Sequence, residues 1–164
     1  MNLHYINIEG IKTKREIIHQ VDGSVILAFD KNEVILIEQT HFPQGKILEI
    51  PGGKIEKNES PRKAAIREFE EETGYKVKNL KHLVTIIPNV GYSTLKIHCF
   101  FTTKVIKMKK IIHKDDDEFI RVIRKDFEQV LDLIKKRKIL DGKTIAACLM
   151  YESKFWSRHK NTFN

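Results

Sequence analysis

Long apolar runs are missing from this chain of 164 residues. The longest, within SVILAF and EVILIE, fall far short of the roughly 20 residues that a membrane-spanning helix needs. The opening MNLHYINIEG lacks a basic region followed by an apolar core, so no secretory leader is expected. Cysteine is scarce. Cys99 and Cys148 form no close-spaced motif and sit in apolar surroundings. They are expected to be reduced core residues of a cytoplasmic protein. Internal repeats and low-complexity linkers are absent, and the length suits one domain over residues 1–164.

Positive charge is abundant. Lys and Arg number 30 against 22 Asp and Glu, a formal net charge of +8. A basic surface attracts anions such as nucleic acid, acidic lipid or phosphate-bearing small molecules, and equally serves as a solubilising coat. The clearest clusters are KVIKMKK at 104–110 and KKRK at 135–138. Neither is interleaved with aromatics as a single-strand binding platform would be, so a nucleic-acid partner is not expected.

Local patterns suggest strands first, a helix in the middle, strands again and helices last. HYINIEG and KREIIHQ are candidate strands, and SVILAFD and EVILIEQT are β-rich runs spaced as a hairpin. In HFPQGKILEIPGGKIEKNESP, Pro and Gly break any long element. From Ser60 to Thr73 the pattern turns helical, with Ser60 as N-cap, Pro61 at the first helical position and Gly74 as the stop. Two further strands, YKVKNLKHLVTIIP and LKIHCFFTTKVI, flank the turn NVGYST, and EFIRVI follows the acidic loop HKDDDE. DFEQVLDLIKKRK and GKTIAACLMYESKFW are helices, the first with Phe127, Val130, Leu131 and Ile134 on one face. This order predicts an α+β or mixed α/β sandwich.

Acidity is concentrated in REFEEETGY, residues 67–75. On a helix, Glu68, Glu71 and Glu72 fall at i, i+3 and i+4 and share one face. Three such carboxylates repel one another, and a hard divalent cation such as Mg²⁺ removes that cost. Arg67 is placed to anchor one carboxylate. A solvated acidic helix face is the competing reading. The preceding PGGKIEKNES favours the cation, because its glycines let backbone approach a bound ion or phosphate closely.

Gly53, five residues, Glu59, seven residues and then REFEEETGY together resemble the Nudix hydrolase signature. Every fixed position is met, at Gly53, Glu59, Arg67, Glu68, Phe69, Glu71, Glu72, Gly74 and Tyr75. At about one in fifteen per invariant letter, a chance match is on the order of one in 10⁸. The resemblance implies a mixed sheet sandwiched by helices, with the signature as loop, helix and loop. It implies Mg²⁺- or Mn²⁺-dependent hydrolysis of a nucleoside diphosphate linked to another moiety. It also implies that Glu68, Glu71, Glu72 and the Gly52 carbonyl ligate metal. Glu71 would share in catalysis, Arg67 would orient the glutamates, and Glu59 would hold the loop to the helix.

Over most of its length the chain is similar to the ADP-ribose pyrophosphatase branch. That implies a substrate loop at Pro88, Gly91, Tyr92 and Ser93, a catalytic base at Glu118, and substrate contacts from His41 and Glu49. Asp115, Asp116 and Asp117 compete with Glu118, and Phe42 or Tyr92 is available to stack on a base. The N-terminal residues 1–22 would help build a homodimer. Three positions depart from the branch. His41 stands where an Arg is usual, Gly52 where Ala is frequent, and Val90 where a Pro marks the loop. ADP-ribose or a related ADP-sugar is the expected substrate, cleaved to AMP and a sugar phosphate. Another nucleotide sugar, an oxidised nucleoside triphosphate, and a non-catalytic nucleotide- or RNA-binding module are the alternatives.

Overall fold

The structure is a computed structural model that describes residues 2–108 and 120–159. It begins with an antiparallel hairpin, β1 (Asn2–Ile8) and β2 (Ile11–Ile17), turned at Glu9 and Gly10, both with positive φ. Next come β3 (Gly23–Asp30) and β4 (Glu33–His41). Their central residues are buried on both faces, so they read as continuous apolar runs and not as alternating ones. The stretch rich in Pro and Gly forms two short strands, β5 (Gly45–Glu49) on β4 and β6 (Gly52–Lys54) on β3.

Helix α1 (Pro61–Thr73) starts and stops where its caps dictate. The Ser60 side chain accepts from the Lys63 N–H, and the Gly74 N–H, at φ 71°, donates to Glu70 O. The two strands expected downstream each divide. YKVKNLKHLVTIIP becomes β7 (Tyr75–Lys78) and β8 (Lys81–Ile86), broken at Asn79 with φ 53°. LKIHCFFTTKVI becomes β9 (Ile97–Thr102) and β10 (Lys104–Lys107). The corner is tied by the Thr102 hydroxyl, which donates to Lys78 O and accepts from the Lys104 N–H at 3.2 Å. β7 and β10 pair with each other as a separate ribbon. β11 (Arg121–Asp126) leads into α2 (Phe127–Lys135), and α3 (Gly142–Tyr151) continues as a π-helical turn through Trp156.

Among the described residues the main sheet has seven strands. Its order is β11-β4-β3-β9-β8, with β5 and β6 added to β4 and β3. It is mixed, because β9 runs parallel to β3 while the other pairs are antiparallel. Alternation along β3 builds two cores. Ile26 and Ala28 meet Ala65 and Phe69 of α1, whereas Val25, Leu27 and Phe29 meet Phe127, Val130, Leu131 and Tyr151 of α2 and α3. Helices on both faces of a mixed sheet match the expected α/β/α sandwich. Cys99 and Cys148 are buried, and burial pushes both thiols up to about 12, which leaves them unreactive. Among the described residues no helix is long and apolar enough to cross a membrane.

Candidate active site

The acidic face of α1 is organised by Arg67. Its Nε and Nη2 donate to the two oxygens of Glu59 at 3.0 and 2.9 Å. Nη1 donates to Glu68 Oε1 at 2.8 Å and to Glu71 Oε2 at 3.3 Å, and Nη2 also reaches Lys54 O at 3.1 Å. The Glu59 contact, foremost, raises the Arg67 pKa above its ordinary value, against the opposing effect of burial. One guanidinium therefore ties the loop after β6 to the helix and fans two further carboxylates.

Glu72 is buried and turns to the sheet, accepting from the Gly52 N–H at 2.8 Å. Two glycines make this approach possible for different reasons. At Gly52, φ is 148° and a Cβ would lie 2.2 Å from Ser24 O, so the backbone leaves no room for a side chain. At Gly53, a Cβ would lie 2.5 Å from the Glu68 carboxyl carbon, so the missing side chain is the seat of Glu68. Glu59, Glu68, Glu71 and Glu72 supply only hard oxygen donors, and their negative charge exceeds that of Arg67. That donor chemistry fits a divalent cation such as Mg²⁺ or Mn²⁺. Among the described residues no three His, Cys, Asp or Glu side chains already converge into a cage. An ion here would share its shell with an anionic ligand.

A cleft of about 640 Å³ lies next along the chain, lined by His41, Phe42, Ile47, Glu49, Leu140 and Lys143 among others. Glu49 ends β5 at only 3% exposure and accepts from His41 Nε2 at 2.5 Å. The Lys143 ammonium donates to Glu49 and, at 2.9 Å, to Asp141. Asp141 caps α3 by accepting from the Thr144 N–H at 2.9 Å. The Thr144 hydroxyl in turn accepts from the Ile50 N–H at 2.9 Å, which stitches α3 to the end of β5. Sequence reasoning paired neither Lys143 nor Asp141 with this site. The available signal was a lysine in the first turn of a helix, where the helix dipole disfavours a cation.

The expected substrate loop follows β8. Gly91, with φ 98°, Tyr92 and Ser93 lie in the β8–β9 connection and not among the residues lining the cleft. The Ile18 N–H donates to Tyr92 O at 2.7 Å, and Ser93 Oγ donates to Gln20 Oε1 at 2.7 Å. The structure thus brings this loop against the residues that follow the hairpin. Pro88 and Val90 lie in the same connection. Glu118 and its rivals Asp115, Asp116 and Asp117 lie outside the described residues.

Residues 19–148 match the model of the NUDIX domain. The chain belongs to the Nudix family. It is 33% identical over 153 residues to a methanol dehydrogenase activator of Bacillus methanolicus, covering 92% of this chain and 83% of that protein. It is 34% identical over 140 residues to an ADP-ribose pyrophosphatase of Bacillus subtilis (strain 168), covering 84% and 76%. A crystal structure of an ADP compounds hydrolase superposes with a TM-score of 0.79 at 16% identity, over 96% of this chain and 94% of the other, a likeness of fold. This Nudix chain is a pyrophosphohydrolase of the ADP-ribose pyrophosphatase-like branch. Nudix hydrolases generally use divalent metal ions, and the similarity supports a small-molecule nucleotide as the substrate.

Proposed function

We propose that the enzyme cleaves the pyrophosphate of ADP-ribose or a related ADP-sugar, releasing AMP and a sugar phosphate. One observation carries the reading. The segment Glu49–Gly53 turns Glu49 into the cleft and Gly52 and Gly53 against Glu72 and Glu68. A substrate lying across this turn has its phosphates at the acidic face and its sugar or base in the cleft. Resemblance to an ADP-ribose pyrophosphatase over most of the chain supports the choice of nucleotide.

Glu68, Glu71, Glu72 and the Gly52 carbonyl would hold Mg²⁺ or Mn²⁺, Arg67 orients the glutamates and Glu59 anchors Arg67. A cation held there would supply charge neutralisation on the pyrophosphate and acidification of a water. Glu118, or a neighbouring aspartate of 115–117, takes the water's proton. His41, Glu49, Gly91, Tyr92 and Ser93 position the substrate, so that catalysis is mainly placement and electrostatics. The whole chain works as one domain in a cytoplasmic homodimer. Supporting the dimer, the hairpin exposes apolar side chains, Tyr5 at 67% and Ile11 at 69%.

The test is product analysis with Mg²⁺ on ADP-ribose, other nucleoside diphosphate sugars, dinucleotides, and ordinary and oxidised nucleoside triphosphates. AMP released fastest from ADP-ribose is the expected result. Preference for another nucleotide would overturn the substrate and keep the chemistry. One observation favours that second reading. His41 is tied to Glu49, and its imidazole lacks the fork with which an Arg clamps phosphate.

A further inference from the structure

Lys143 occupies a place that a cation should avoid. It lies in the first turn of α3, against the helix dipole, and only 18% of its side chain is exposed. Burial opposes its charge, but Asp141 and Glu49 outweigh burial and raise its pKa overall. Its ammonium holds Glu49 Oε2 while His41 Nε2 holds Glu49 Oε1. Both oxygens of one buried carboxylate are therefore fixed by residues from different elements. Each oxygen keeps acceptor capacity beyond the bond shown. If Nε2 carries the proton of a neutral ring, His41 Nδ1 is an acceptor as well.

The charge of the cleft follows. Among the described residues that line it, Glu49 and Asp141 are the carboxylates, Lys143 is the single Lys or Arg, and that ammonium is already held by both carboxylates. Two carboxylates against one ammonium leave a formal charge of −1 on these three side chains. Phe42, Ile47 and Leu140 complete an apolar wall. A phosphate entering here meets carboxylates and, among the described residues, no uncommitted Lys or Arg. A ligand bearing hydroxyls meets acceptors that are already positioned.

We propose that Lys143 is a positioning residue that fixes Glu49 as a hydrogen-bond acceptor. The cleft thereby reads the uncharged, hydroxyl-rich sugar of a nucleoside diphosphate sugar and rejects a substrate that places a further phosphate there. The proposal rests on hydrolysis at the acidic face only for its kinetic readout.

The experiment compares the full-length wild type with Lys143→Met and Lys143→Arg. Binding of ADP-ribose and of ATP is measured by calorimetry, and hydrolysis of both is followed with Mg²⁺. The wild type is expected to bind ADP-ribose at least about tenfold more tightly than ATP. Lys143→Met should raise the ADP-ribose KM about tenfold, with a smaller effect on kcat and on ATP binding. Lys143→Arg should recover most of the ADP-ribose affinity. Wild-type affinities that are equal, or a Lys143→Met change of the same size for both ligands, would overturn the proposal while leaving the hydrolase reading intact. Selective binding without hydrolysis would sink the hydrolase reading and uphold this one. Should Lys143→Met lose its fold by circular dichroism, Glu49→Gln removes the charge with the shape kept. It must narrow the preference for ADP-ribose over ATP, and an unchanged preference would likewise defeat the proposal.

Discussion

Two acidic clusters lie at either end of one short turn, and they are built on opposite plans. At α1, Glu59, Glu68 and Glu71 gather around one guanidinium while Glu72 accepts from the Gly52 N–H, so negative charge is left over. In the cleft, Glu49 and Asp141 share Lys143, and His41 is a second partner of Glu49, so charge is closer to balance. A surplus of carboxylate invites a divalent ion. A balanced, buried network is rigid and reads hydrogen bonds. Carboxylates alone do not mark a metal site, and the count of cations beside them separates the two cases.

The comparison breaks most readily at the acidic face. Glu71→Gln or Glu72→Gln should lower kcat at least about a hundredfold with circular dichroism unchanged, since each removes charge from the proposed metal shell. Near-normal turnover in either purified variant would contradict the metal assignment. Chelation by EDTA should abolish turnover in the same way while the folded signal persists, and restored Mg²⁺ should bring activity back. Unfolding on chelation would show that the ion is structural.

The two glycines separate fold from chemistry on a finer scale. Gly53→Ala pushes the flexible end of Glu68 aside, so turnover should fall about tenfold with little change in Tm. Gly52→Ala drives a Cβ into Ser24 O and Val25 of the sheet, and should cost on the order of 3 kcal/mol of stability by denaturant melts. Equal effects of the two changes on Tm would remove the distinction.

The smallest effect belongs to neither cluster. His159 is buried between Tyr151 Oη at 2.6 Å and Lys31 O at 2.8 Å, and burial lowers its pKa. The unfolded chain therefore takes up this proton first. The contribution of His159 is complete above the ordinary histidine value of about 6.5 and is lost as pH falls from there through the folded-state value. Unfolding midpoints from pH 7 to 5 should decline, and His159→Gln should flatten that slope. A slope unaltered by the substitution would assign the decline to other groups.

What could be read from the sequence divides along the same line. α1 was legible because Ser60, Pro61, Gly74 and the glutamate spacing are all local, and the contacts of Arg67 with Glu68 and Glu71 span one helical turn. β3 and β4 were legible as unbroken apolar runs. The divisions at Asn79 and after Thr102 were hidden, because β-favouring residues continue on both sides while the chain changes sheets. Glu49 and Lys143 are 94 positions apart, and no local pattern joins them. The link exists because Thr144 docks on Ile50 and brings the start of α3 to the end of β5.

Arg67 also bears on how the protein meets its metal supply. A helix face that carries its own counter-cation folds before any ion arrives, so synthesis and loading are separate events. On the proposed metal assignment, the finished protein would wait, idle, and its output would follow the free divalent cation around it.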